Sequence, residues 1–150
     1  MDIIDLLMED HTKLRKELVK IRQNLSEPDA RDQIKAFISN YEMHESIEEE
    51  VLFPNVQEFL NARPDRESLK GYHENHEEIW EILEELLDSL DTTRYNELQQ
   101  VFFNFAASTE AHMSREERIL FPAIRELVEK DTLEELGRKA EQRFTRFSYH

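Results

Sequence analysis

The chain has no cysteine anywhere in its 150 residues, which excludes disulfides, thiolate metal sites and thiol nucleophiles. Glycine and proline are scarce, at 2 and 4 residues, too few to turn a chain through the many short strands of a sandwich or barrel. No apolar run approaches the roughly 20 residues that span a bilayer. The opening MDIIDLLMED also lacks the basic stretch of a secretory signal, so a cytoplasmic location is the expectation. Basic residues are outnumbered, 19 against 34 acidic ones, and the formal net charge is −15. Neither nucleic acid nor an anionic membrane surface fits that field, because both need a basic face to neutralise phosphate. What is abundant is glutamate and leucine, both good helix formers. One all-α domain is the expected class.

Apolar spacing of three and four residues divides the chain into helices. Ile4, Leu7, Leu14, Leu18, Ile21 and Leu25 mark the first, with His11 on the same stripe, and Ser26–Asp29 ends it. A second, from about Ala30 to Leu60, carries Ile34, Phe37, Tyr41, His44, Glu48 and Val51 or Leu52. Pro54 lies inside it and should kink or unwind it. After a turn at Asn61–Asp65, a third helix shows Leu69, His76, Leu83, Leu87 and Leu90, closing at Asp91–Thr93. The fourth, from about Arg94 to Lys130, runs through Leu98, Val101, Phe105, Thr109, His112, Glu116 and Ile119, with Pro122 embedded. Asp131 and Thr132 offer N-caps to a short fifth helix whose stripe is Leu133, Leu136, Ala140, Phe144 and Phe147. Short connections predict an up-down-up-down antiparallel four-helix bundle over residues 1–130, with residues 131–150 packed on it in the same domain.

The second and fourth helices repeat one string. His44-Glu45-Ser46-Ile47-Glu48-Glu49-Glu50-Val51-Leu52-Phe53-Pro54 aligns with His112-Met113-Ser114-Arg115-Glu116-Glu117-Arg118-Ile119-Leu120-Phe121-Pro122, each shared position 68 apart. The first and third helices align too, Asp10-His11 and Leu14 with Asn75-His76 and Ile79, at an offset of 65. The chain is a doubled helical hairpin. Taken alone, His-x-x-x-Glu is weak evidence in a Glu-rich chain, and His73 with Glu77 is an instance outside the repeat; the shared Leu-Phe-Pro tail lifts it. Residues four apart share a helix face, so His44/Glu48 and His112/Glu116 each aim an imidazole and a carboxylate along the apolar seam. The midpoints of His11/His44, His44/His76 and His76/His112 fall at or beside the connecting turns, which puts the four histidines at one level of the bundle.

Burying four imidazoles and two carboxylates without partners costs several kcal/mol for each charge. A pair of divalent metals removes that cost: it neutralises the carboxylates, uses the imidazole lone pairs and gives Glu48 and Glu116 a bridging role. Nitrogen and oxygen ligation without thiolate suits non-haem iron best, with manganese or zinc as alternatives. Tyr41, one turn before His44, reads either as core or as a hydrogen bond to an oxygen held by the metals. Trp80, Phe53 and Phe121 read as packing residues, and Glu49 and Glu50 as a solvated face.

This pattern resembles the hemerythrin-like, or HHE cation-binding, domain, whose signature is a His followed by His-x-x-x-Glu, repeated twice. The matching residues are His11, His44 and Glu48, then His76, His112 and Glu116, within residues 1 to about 130. A ferritin-like centre has the wrong spacing, because it needs Glu-x-x-His. The resemblance implies two non-haem iron ions, oxo- or hydroxo-bridged, on a four-helix bundle. It also implies a small ligand such as O2, NO or peroxide, with the protein acting as sensor, scavenger or carrier. Oxygen-carrying relatives have a fifth histidine where this chain has Trp80. His73 or Glu45 then becomes the candidate for that coordination position, which argues against simple reversible oxygen transport. Redox activity toward peroxide or NO stays open, as does a second class of function: a metal-dependent signalling or interaction module whose fifth helix, with Arg138, Lys139, Arg143 and Arg146, docks a protein partner.

Overall fold

The computed structural model describes residues 1–62, 69–92 and 95–148, with the side chains of 91–92 and 144–148 left aside. Its elements are α1 (Ile3–Gln23), α2 (Ala30–Ile47), a π-helical turn (Glu48–Leu52), α3 (Phe53–Asn61), α4 (Leu69–Thr92), α5 (Tyr95–Arg115), a second π-helical turn (Glu116–Leu120), α6 (Phe121–Leu127) and α7 (Lys130–Ser148). The protein is all-α: no strand occurs among the described residues. Arg63, Pro64 and Asp65 of the turn expected at Asn61–Asp65, Thr93 and Arg94 at the next, and the side chains of Phe144, Arg146 and Phe147 in the last helix lie outside the described groups. The helix α1 starts where Asp2 caps it, its carboxylate accepting the Asp5 N–H at 2.8 Å.

The two prolines embedded in the long helices, Pro54 and Pro122, act as the sequence suggests, by a specific device. Proline has no N–H and its ring clashes with the carbonyl four residues back. The chain answers with a π turn before each one: the Phe53 N–H reaches back five residues to the Glu48 carbonyl, and the Phe121 N–H to the Glu116 carbonyl. The Val51 carbonyl is then taken by the Asn55 amide at 2.6 Å. Each π turn holds one residue more than the α pattern allows and rotates the helix beyond it by about 100°. The rotation corrects one expectation. Ile119, placed on the inner stripe by α periodicity, is 46% exposed, while Leu120 and Phe121 turn inward. The fourth helix also ends earlier than expected, because Val128 is extended (φ −114°, ψ 133°). The helix α7 begins at Lys130, so Asp131 lies in its first turn, where its charge suits the helix dipole, rather than at the cap.

α1 packs on α2 and α7, α4 on α5, and α3 on α6. Two apolar clusters result. One holds Ile3, Ile4, Leu7, Ile47, Leu52, Phe53, Leu120 and Phe121 together with Leu133, Leu136 and Ala140 of α7. The other holds Leu14, Ile34, Phe37, Tyr41, Ile79, Leu83, Phe105 and Met113. The helix α7 reaches the first cluster by a close approach: a Cβ on Gly137 would stand 2.3 Å from the Met1 carbonyl oxygen. Arg143 adds an ion pair to Glu50 of the first π turn. Between the clusters runs a layer of buried polar side chains.

Candidate metal centre

That layer contains His11, His44, His76, His112, Glu48 and Glu116, all at most 2% exposed. α1 and α2 bring His11 and His44 together, Nε2 to Nε2 at 3.1 Å. α4 and α5 do the same for His76 and His112 at 2.8 Å. The two glutamates, each the first residue of a π turn, lie across both pairs. Glu48 Oε1 stands 3.0 Å from His44 Nε2 and 3.7 Å from His76 Nε2. Glu116 puts Oε1 at 3.2 Å from His11 Nε2 and Oε2 at 3.4 Å from His112 Nε2. His11, His44 and Glu116 form one group able to hold a cation, and Glu48, His76, His112 and Glu116 a second.

Each imidazole is held from behind through Nδ1. His44 donates to Asp10 at 3.3 Å, His11 to Glu117 at 3.1 Å, His76 to Glu49 at 2.6 Å and His112 to the Asn75 amide oxygen at 2.6 Å. A carboxylate or amide oxygen can only accept, so each contact fixes Nδ1 as the donor and turns Nε2 toward the centre. That is the support a metal-ligating histidine needs. Rings wall the site as well: Phe121 stacks on His11 with centroids 5.6 Å apart, and Phe53 on His76 at 6.0 Å.

The electrostatics without metal alternate. Burial opposes charge on His44, but Glu48 and Asp10 outweigh it and raise the ring to about 9. Burial also works against His76, and the neighbouring carboxylates of Glu48 and Glu49 raise it to about 9. Burial lowers His11 to about 4, helped by the charge on His44, and lowers His112 to about 3. Glu48 is pushed up by burial, yet His44 and His76 hold it well below the usual carboxylate range. Each histidine pair therefore joins one charged and one neutral ring around a single inward proton. Even so, all four oxygens of Glu48 and Glu116 are buried without a directed hydrogen bond, a costly arrangement that a cation between the nitrogens and oxygens relieves.

The two remaining candidates are placed differently. His73 is exposed, with Nδ1 at 2.9 Å from Glu49 and Nε2 at 3.4 Å from Glu77, and belongs to neither group. Its bond to Glu49 makes it a support behind His76. Glu45 is buried, takes the Trp80 indole N–H on Oε1 at 2.9 Å, and stands 3.8 Å from His76 Nδ1. With Glu49 and His76 it forms a third, smaller cluster. Burial raises Glu45 to about 7 against the pull of His76.

Sequence reasoning assigned no role to Asp10, Asn75 or Glu117 and put Glu49 on a solvated face, whereas Glu49 is half-buried behind His76. A signal existed. Asp10 and Asn75 precede the first histidine of each half, and Glu49 and Glu117 follow its glutamate, all at repeat offsets.

The Hemerythrin HHE cation binding domain model matches residues 2–124 and again residues 65–143, the second match beginning close to where the repeat restarts. No curated protein and no solved structure gives a match.

Proposed function

The chain belongs to the hemerythrin HHE cation-binding domain family, and we propose that within it the protein is a non-haem di-iron protein that binds or reacts with a small ligand such as O2, NO or peroxide. The observation that carries this reading is the convergence of four Nε2 atoms on four buried carboxylate oxygens that lack directed hydrogen bonds. His11 and His44 would hold one ion and His76 and His112 the other, with Glu48 and Glu116 spanning both. A bound iron pair supplies redox capacity and coordination positions that protein groups leave free. The protein's own contribution is to fix every imidazole through Nδ1, to balance the charge with two carboxylates, and to keep water out with Phe53 and Phe121.

Residues 1–130 in this reading form an up-down-up-down antiparallel bundle, and residues 131–150 close one end of the same domain. Manganese or zinc would fit the same donors less well than iron. The role depends on the ligand: sensor, scavenger or carrier. An interaction module built on the last helix has less support, because Leu133, Leu136 and Ala140 are buried in the chain's own core.

Anaerobic mixing of the reduced, iron-loaded protein with O2, NO or peroxide tests the reading. A distinct visible band with at least one of them is expected, reversible on removal for a carrier and irreversible or catalytic for a scavenger. An iron-loaded protein whose spectrum ignores all three contradicts it.

A further inference from the structure

Two more polar groups face this layer from the side of Phe37 and Phe105, and neither is accounted for by holding metal. Tyr41 on α2 and Thr109 on α5 occupy the same repeat position, 68 apart, one turn before His44 and His112. They are 1% and 0% exposed, and both hydroxyls are without a hydrogen-bond partner. The Tyr41 ring is clamped, stacked on Phe37 at 6.2 Å and edge-on to Phe105 at 6.4 Å, so its hydroxyl cannot swing out to water. Burial and then the nearby charges of Glu45 and Glu48 make its proton harder to lose, which keeps it a donor. Glu45 contributes a third unpartnered atom, Oε2, since Trp80 occupies only Oε1.

A buried hydroxyl left unpaired costs about 1–3 kcal/mol. Phenylalanine or valine would fill the same space in an apolar cluster without that cost. The polar choice at both repeat positions therefore implies an acceptor that is present in the working protein. It must be small, because Tyr41 packs in one apolar cluster with Phe37, Phe105 and Ile79, all at most 1% exposed.

We propose that the Tyr41 hydroxyl is the hydrogen-bond donor to the outer atom of a small anion, or of a diatomic molecule that takes on negative charge when bound, held at the metal pair on the Phe37/Phe105 side. This rests on the metal reading above. Thr109 lies at the twin position, next to Met113 rather than a carboxylate, and plays the lesser part. The assignment favours ligands that carry an acceptor atom away from the metal and discriminates against neutral, non-accepting ones of equal size.

Azide, a linear anion with an acceptor at each end, is the probe. Iron-loaded wild type, Tyr41→Phe and Thr109→Val are titrated with it, after iron content is measured for each, and the metal-free forms are melted. The expected result is equal iron, azide binding weakened at least about tenfold in Tyr41→Phe, a smaller change in Thr109→Val, and no loss of melting temperature in metal-free Tyr41→Phe. Equal iron with unchanged azide affinity in Tyr41→Phe overturns the proposal while leaving the metal centre intact. So does wild type that holds iron and ignores azide, a larger effect at Thr109 than at Tyr41, or a metal-free Tyr41→Phe protein that melts several degrees lower. Wild type that takes up no iron fails at the earlier reading instead, and this one falls with it.

Discussion

The two halves of the repeat build the same frame with different fittings. In each, a histidine of the leading helix and one of the following helix meet at Nε2, and a π turn with the residue after it supplies three groups at fixed spacing. Those groups are a central glutamate, a second glutamate that accepts from Nδ1 of the other half's leading histidine, and a phenylalanine that stacks on that same ring. Glu48, Glu49 and Phe53 serve His76, while Glu116, Glu117 and Phe121 serve His11. The halves are therefore cross-linked through the site, and neither is complete alone. The fittings differ behind the histidines. Asp10 backs His44 but Asn75 backs His112. Arg15 braces Glu117 at 2.7 Å whereas exposed His73 braces Glu49 at 2.9 Å. Trp80 and Glu45 stand in the second helix pair's neighbourhood, where the repeat equivalents are Arg15 and Met113. The lesson is that the repeated groups build the centre of four imidazoles and two carboxylates, and the unrepeated ones make its two ends chemically unequal.

That comparison breaks most visibly at the central glutamates. In the metal-free protein Glu48 balances two charged rings, His44 and His76, while Glu116 lies against two neutral ones, His11 and His112. Glu48→Ala should destabilise the metal-free protein by about 3–5 kcal/mol, the cost of stranding buried charge, and Glu116→Ala by clearly less. Chemical denaturation of both variants checks the order, and equal losses would contradict the alternating charge pattern. The unrepeated helix comes next. Gly137→Ala drives a Cβ into the backbone at Met1 and should cost about 1–3 kcal/mol, with iron binding retained, as read by melting temperature and metal content.

Fitting the halves alike is a finer test. Asn75→Asp should lift His112 above its present value of about 3 and change iron affinity by about 10-fold, followed by NMR titration of the ring and by competition with a chelator. The smallest effect concerns pH. His44 and His76 have folded values raised to about 9 from an ordinary 6.5. The stability they confer is therefore fully present below about pH 6.5 and is lost as pH rises through about 9. Metal-free protein should melt progressively lower between those limits. The metal-loaded protein, with those protons already displaced, should change little over the same range.

The convergence of the six central residues and the helical class were legible because they rest on periodicity and on a repeat long enough to exclude accident. The π turns were legible only as a disturbance at Pro54 and Pro122; that each would begin at a central glutamate and turn Ile119 outward depends on which carbonyl the proline ring displaces. Asp10, Glu49, Asn75 and Glu117 were missed for a different reason. Their partners lie on other helices, and in the glutamates' case in the other half of the chain, so no spacing along one helix reveals them. His73 is the converse case. It shares a heptad seam with His76 on paper, but three residues rotate it far enough to reach Glu49 rather than the centre.

The central claim is that this frame holds a metal pair, and the most direct test is an anaerobic titration of the metal-free protein with ferrous ion, reading bound iron per chain after removal of excess. The account predicts saturation at about two ions per chain, reduced together when either Glu48 or Glu116 is replaced by alanine. A folded, helical protein that binds no iron, or that loses only one ion's worth of sites when Glu48 is removed, would contradict it.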